Sequence, residues 1–302
     1  MRAAPEVTRV YQNHHLDSTR WNAFTPRRDD IVIATSYKAG TTWTQAIVAN
    51  LLFPEQSFPA PPWQLSPWLD MRVPPLDQVI AGLEAQENRR FIKTHLALDG
   101  LRYFPEVKYI FVSRDGRDVF MSLWNHYSTY TDTAYARFND TPGRVGDPLP
   151  RSPGDIQTAW RNWTTRGWFD WESDGWPFWS HLSVTQSWWN YRHLENIHVV
   201  HYADMKRDLP ASVKGIADFL EIDISPERLA AVVEAVSFDT MKQSGDAYVP
   251  QGGASWKQGV ESFMHRGTNG RWRDVFTADE VALYAAACER TLTDDCRTWL
   301  NR

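Results

Sequence analysis

The run from Asp30 to Phe53 changes its hydrophobic period partway along, and that change constrains the fold more than any other feature of the chain. Ile31, Val32 and Ile33 with Ala34 form a short apolar run rich in β-branched residues, which reads as a buried strand. Trp43, Ala46, Ile47 and Leu51 then recur at helical spacing. Thr35 to Thr42 must therefore be a tight loop. A helix beginning at Thr41 or Thr42 aims unpaired backbone N–H groups and the positive end of its dipole at that loop. Gly40 lets a ligand come close to the backbone and Lys38 adds a full charge, so the stretch reads as an anion site suited to a phosphate group. A nucleotide triphosphatase loop needs Lys directly after its second Gly, then Ser or Thr to hold Mg²⁺. Here Lys38 stands two residues before Gly40, and Thr41 takes the Lys position. Taken alone, the stretch is also compatible with an unrelated anion loop or a purely structural strand-to-helix turn.

The 302 residues, 42% hydrophobic, can bury the core of one large α/β domain or of two smaller ones. No Pro/Gly/Ser-rich linker divides them, which favours one domain. A formal net charge of −5 gives no general polyanion signal. Nucleic acid is therefore not an expected partner, and a small anion must be met by a few local cations. Met1 to Phe24 carries Arg2, Glu6, Arg9, Asp17 and Arg20 without an apolar stretch of signal-peptide length, and no later run reaches the length of a membrane span. A soluble cytoplasmic protein is expected. Cys288 and Cys296 lie in one expected helix, roughly 12 Å apart along its axis, too far for a disulfide. No Cys or His spacing matches a metal site, so no metal is expected.

Further along, Pro54, Pro59, Pro61, Pro62 and Pro67 forbid a regular helix. Trp63, Trp68, Leu69 and Met71 in this run are either loop packing or one wall of a pocket. Pro75 to Glu87 reads as helical. Phe91 and Ile92 read as a strand that puts Lys93, Thr94 and His95 at its carboxyl end, where ligands sit in open α/β sheets; His95 alone is compatible with a structural role. Tyr109 to Val112 form another strand, the chain turns at Asp115-Gly116, and Arg114 is left at the strand end. Asp118 fits a carboxylate complementing the dipole in a helix's first turn. Residues 128–155, polar and rich in Pro and Gly, are expected to form a mobile excursion. Half of the 16 tryptophans fall between Trp160 and Trp189. Some must be core, and others are expected to line a pocket for a bulky apolar molecule. Ser225-Pro226 opens a helix running to Val236, and Thr277 with Glu280 forms a capping box.

Four of these segments occur in an order that resembles the sulfotransferases using 3′-phosphoadenosine 5′-phosphosulfate (PAPS), with a flavour closest to bacterial, mycobacterial glycolipid-type members. Tyr37-Lys-Ala-Gly-Thr-Thr-Trp43 is similar to their phosphosulfate loop, Pro-Lys-Ser-Gly-Thr-Thr-Trp. The resemblance implies cofactor contacts at Lys38, Ala39, Gly40, Thr41, Thr42 and Trp43. Ala39 in place of Ser removes a hydroxyl but keeps the backbone donor. Lys93-Thr-His95 resembles the family's catalytic strand, which implies that His95 is the general base and that Lys38 and Lys93 neutralise developing charge. Arg114 and Ser122 then correspond to the ligands of the 3′-phosphate, with Gly116 where Pro is usual. His201-Tyr-Ala-Asp-Met205 resembles Tyr-Glu-Asp-Met and places Tyr202 near the adenine. Ser237 and Phe238 fall in a segment like Thr-Ser-Phe-x-x-Met and are implied cofactor contacts. His265, Arg266 and Gly267 correspond to the Arg-Lys-Gly that closes over the 3′-phosphate, with His265 where Arg is usual. Ala278 and Ala282 replace the Val and Glu of the animal dimer motif, so that mode of dimerisation is not expected.

The resemblance covers residues 30–277. It implies one α/β domain over 1–302, with a central parallel sheet flanked by helices, a P-loop-like phosphosulfate-binding loop and a Trp-rich acceptor-side insert near 128–190. The implied reaction moves a sulfuryl group from PAPS, leaving 3′-phosphoadenosine 5′-phosphate (PAP), to a hydroxyl of an apolar small molecule, phenol or glycolipid. A P-loop nucleotide kinase and a non-catalytic nucleotide-binding protein are the alternatives.

Overall fold

The computed structural model of the chain describes residues 4–54, 57–264 and 267–302. Strands β1 (Ile31–Thr35), β2 (Phe91–Thr94), β3 (Lys108–Ser113) and β4 (Ile197–His201) form one parallel sheet in the order β2-β1-β3-β4. Ile31 pairs with Phe91 and Lys108, and Tyr109 pairs with Ile197, so the strands run level. Their carboxyl ends, Thr35, Thr94, Ser113 and His201, emerge along a single edge.

Parallel neighbours need long crossovers, and helices provide them. Helix α1 (Thr41–Leu52) follows β1; α2 (Pro62–Leu65) and α3 (Leu76–Glu84) precede β2. Between β3 and β4 lie α4 (Gly116–Ser128), α5 (Asp132–Asn139), α6 (Ile156–Thr165) and α7 (His181–Trp189). After β4 come α8 (Tyr202–Arg207), α9 (Leu209–Phe219), α10 (Pro226–Ala235), α11 (Phe238–Gln243), α12 (Gly245–Tyr248), α13 (Val260–Phe263), α14 (Ala278–Thr291) and α15 (Asp294–Leu300). Helix starts follow local chemistry. The Ser225 side chain accepts from Arg228 N at 3.2 Å ahead of Pro226, and Thr277 and Glu280 form the expected reciprocal box.

Strand side chains alternate between faces. Ile31 and Ile33 join Phe91, Ile110 and Val112 in a core roofed by α1, α9 and α10, while Val32 and Ala34 join Ile92, Tyr109 and Phe111 beneath α4, α6, α7 and α14. Both faces of β1 are covered, which is why its sequence is an unbroken apolar run. At the opposite edge from the strand carboxyl ends, the fully buried Arg90 guanidinium spans both oxygens of Asp30, at 2.8 and 2.5 Å, and reaches Glu84 at 2.9 Å.

Two expectations, for residues 128–155 and for the two cysteines, are corrected, and the expected core role of some tryptophans is met. Residues 128–155 are not a free excursion, because α5 inserts Ala134, Tyr135 and Phe138 into the core. Trp160, Trp163, Trp179 and Trp188 are core residues on the second sheet face. Trp188 stacks on Phe111 at 5.4 Å and Trp160 on Phe276 at 4.3 Å, and their indole N–H groups donate to backbone carbonyls. Short helices leave wide gaps above that face, and large rings fill them. Cys288 and Cys296 sit on two helices, not one, since the chain breaks at Leu292-Thr293; both are buried free thiols. Among the described residues no helix is long and apolar enough to cross a membrane, and no group of three or more His, Cys, Asp or Glu could hold a metal.

Candidate active site

At the end of β1 the chain reverses through Lys38, whose φ is 65°, and Gly40, whose φ is 118°. Gly40 is required twice over, since a Cβ there would also lie 2.9 Å from the Tyr202 ring. It is the N-cap of α1 and carries no side chain to bond the helix's first amides, so the N–H groups of Thr41, Thr42 and Trp43 are open to a ligand. The Thr41 hydroxyl is held by the Thr35 hydroxyl at 2.6 Å. The expected backbone donor at Ala39 is corrected: its N–H turns back to Ser36 O at 3.3 Å and its side chain is buried behind the loop. Lys38 lies at the cavity wall with its ammonium 4.2 Å from the Phe263 ring centre, donating to His126 Nδ1 at 3.2 Å. Burial, then the charges of Lys93 and Arg114, push its pKa down to about 7.

His95 follows β2 directly and is buried. Its Nδ1 lies 2.8 Å from Thr35 O. A carbonyl only accepts, so Nδ1 carries the proton and Nε2 is the bare acceptor. Burial and the Lys93 charge hold the imidazole well below its usual pKa, keeping it neutral at pH 7. Lys93 stands over the Trp68 ring at 4.7 Å, and burial lowers it to about 8 against the opposing pull of Asp70. Asp70, fully buried, accepts from Trp68 Nε1 at 2.6 Å, Trp21 Nε1 at 3.1 Å and His95 N at 3.3 Å. It holds the His95 backbone and sets its charge near Lys93.

Arg114 at the end of β3 lies 4.3 Å from the Tyr202 ring centre and donates to Thr268 O at 3.1 Å and Asn269 Oδ1 at 2.6 Å. Asp118 does lie in the first turn of α4, as expected, and it also accepts from Gly270 N at 2.6 Å. Lys206 donates to Gly267 O at 2.5 Å, so residues 267–270 are fastened to the strand edge from three sides. Ser122 and Phe238 line the same cavity. The Ser237 hydroxyl, by contrast, caps α11 through Thr240 N at 3.2 Å and has a structural role. The remaining two expected ligands, His265 and Arg266, lie outside the described residues.

One continuous cavity of about 520 Å³ gathers these groups. Lys38, Gly40, Thr41, Thr42, Trp43, Lys93, His95, Arg114, Ser122, Tyr202, Phe238 and Gly267 all line it, and no Asp or Glu stands among the described lining residues. Beyond His95 its walls are Trp63, Trp68, Met71, Tyr130, Phe138 and Trp256. The tryptophans of the 160–189 stretch are not among them, although Trp179 packs behind Tyr37 at 5.2 Å. The Pro-rich loop supplies the pocket wall instead. Sequence reasoning also missed His126, which links Lys38 to the Tyr37 hydroxyl at 3.0 Å, and Trp256, which packs on His126 at 4.8 Å. Only an unexplained His in an amphipathic helix marked the first, and nothing local marked the second.

Over residues 28–295 the chain matches the sulfotransferase domain. It is 30% identical over 309 residues to a glycolipid sulfotransferase of Mycobacterium bovis, covering 97% of this chain and 94% of that protein. It is 26% identical over 279 residues to sulfotransferase 1A1 of Rattus norvegicus, covering 90% and 87%. Its fold is similar to that of a mouse sulfotransferase complexed with PAP, with a TM-score of 0.68 at 19% identity over 93% of this chain and 91% of the other. A retinol dehydratase in complex with retinol and PAP gives a TM-score of 0.69 at 21% identity over 91% and 84%.

Proposed function

The chain belongs to the sulfotransferase family, and on that premise we propose that it transfers a sulfuryl group from PAPS to a hydroxyl of an apolar acceptor, with His95 as general base. The observation that carries this reading is the meeting, in one cavity, of an uncapped helix N-terminus, two partly buried lysines and a histidine whose tautomer leaves Nε2 bare. PAPS supplies an activated sulfuryl group: the acceptor oxygen bonds to sulfur as the sulfur–phosphate oxygen bond breaks and PAP departs with the electron pair.

The chain's own residues do the rest. The amides of Thr41, Thr42 and Trp43 with Lys38 hold the 5′-phosphate, and Arg114 and Ser122 with the 267–270 loop hold the 3′-phosphate. Tyr202, Trp43 and Phe238 flank the adenine. Lys38 and Lys93 place positive charge where negative charge grows on the departing oxygen, the logic of an oxyanion hole. His95 Nε2 takes the proton of the acceptor hydroxyl, and the Thr35 carbonyl keeps the ring in the orientation for that task. The acceptor body lies against Trp63, Trp68 and Trp256. The two thiols, buried and unpaired, suit the reducing cytoplasm.

A comparison of wild type with His95→Ala tests the assignment. PAP affinity, tighter than AMP affinity in both proteins, should change little. Transfer to an aliphatic alcohol should fall by ~10²–10⁴-fold, and transfer to an acidic phenol by less. Equal affinity for PAP and AMP would remove the co-substrate assignment. A normally folded variant that retains full activity on the alcohol would remove the base.

A further inference from the structure

The cavity lining holds a cation that the sulfuryl-transfer reading does not use. Lys38 and Lys93 flank the base, Arg114 and Lys206 grip the 267–270 loop, and Arg271 reaches Met121 O beside Ser122. Arg137 is elsewhere, on α5, beyond a series of contacts that leads away from His95. The rings of His95 and Tyr37 stand 5.2 Å apart, the Tyr37 and Tyr130 hydroxyls are 3.0 Å apart, and Tyr130 and Phe138 are 5.9 Å apart, with Arg137 next to Phe138 in the chain.

Its neighbours show what an arginine here would otherwise do. Arg151 pairs with Asp132 of the same helix, and Arg72 spends its guanidinium on the carbonyls of Phe138, Thr141 and Pro142. The C-terminal carbonyls of α5 are thus already served. Arg137 is half-buried and lines the cavity, and among the described residues its guanidinium bonds only the neutral Gln251 amide oxygen, at 3.0 Å. Among the described residues no carboxylate pairs with it and no Asp or Glu lines the cavity. Burial lowers its pKa with no nearby acid to offset the effect. A half-buried guanidinium that lines an apolar cavity, with only a neutral partner among the described residues, is stabilised by an anion from outside the chain.

The geometry points to an acceptor that is an apolar hydroxylated carboxylic acid, with its hydroxyl at His95 and its carboxylate on Arg137. One guanidinium and one neutral amide match the single charge of a carboxylate, and a carboxylate can take two parallel bonds from Arg137. Trp256, Phe138 and Met71 suit the hydrocarbon between the two ends. This inference rests on the sulfuryl-transfer reading of the same cavity and names its substrate class.

The probes are ω-hydroxylauric acid and its methyl ester, which differ in the terminal charge. Their affinities are measured by calorimetry on the free and the PAP-loaded protein, with PAP affinity itself recorded first. The acid should bind roughly ten- to a hundredfold more tightly than the ester, the scale of one charged hydrogen-bonded contact. Arg137→Met should bring the acid down to the ester's affinity while leaving the ester and PAP unchanged, and Arg137→Lys should restore part of the preference. An acid that binds no tighter than its ester, including the case in which neither binds, overturns the inference, as does a preference that survives Arg137→Met in a variant of normal melting temperature. Failure to bind PAP defeats the sulfotransferase reading instead, so the two failures are told apart.

Discussion

Two lysines set the pH response of the site. Lys38 at about 7 and Lys93 at about 8 are partly neutral in the free protein near neutral pH, chiefly because burial disfavours their charged forms. Under the proposed binding mode phosphates beside them favour the charged forms, so both pKa values should rise on binding. Between the free and bound values the complex holds more protons than its separate parts, and PAP affinity must fall as pH rises through that window. Calorimetry at about pH 8 in buffers of different ionisation heat should register proton uptake, and at about pH 6 almost none. No uptake at the higher pH would mean that the lysines do not meet the phosphates. Lys38, Lys93 and His95 were all legible as residues in the sequence. Their protonation states were not, because burial, the Thr35 carbonyl and the Asp70 brace come from segments far apart in the chain.

Elements carry the closure of the nucleotide end. The first turn of α4 offers Asp118 to Gly270 N, while Arg114 at the end of β3 holds the Thr268 carbonyl. Asp118→Ala leaves that amide without its charged partner and loosens the loop expected to cover the 3′-phosphate. PAP affinity should drop by about tenfold while AMP affinity changes little, a difference that calorimetry reads directly. An equal loss for both nucleotides would place the effect on α4 folding rather than on the loop. From the sequence, Asp118 is explained fully by the helix dipole, and its second task is invisible without the loop's position. The strand, loop and helix around Lys38 were legible because hydrophobic period is a local signal. Helix α5 was not, since its Pro- and Gly-rich surroundings outweigh three apolar positions whose value comes from the core they enter.

At the scale of the whole molecule, the sheet is pinned at one edge and functional at the other. Arg90 and Asp30 close the amino-terminal ends of β2 and β1, both almost wholly buried, in a two-pronged ion pair. Arg90→Met leaves the Asp30 carboxylate buried without its partner, which should cost about 3–5 kcal/mol of stability. Urea unfolding measures this, and a loss under about 1 kcal/mol would show that Asp30 finds water or another donor. The variant should still bind PAP where it is folded, because the pair lies at the edge remote from the site.

By itself the sequence determined the parallel α/β sheet, the strand, loop and helix around Lys38 and Gly40, and the order of Lys93, His95, Arg114, Ser122 and Tyr202. Each rests on neighbours within a few positions of one another, or on short motifs kept in order. Only the tertiary structure decided that the Ala39 amide turns back to Ser36, that Trp160, Trp163, Trp179 and Trp188 are core while Trp63, Trp68 and Trp256 wall the cavity, and that Arg137 faces it with no acid among the described residues. Those outcomes depend on which surfaces meet across the sheet edge. A large ring or a charged side chain carries no local mark of whether the space in front of it will be filled by the chain or left for a ligand.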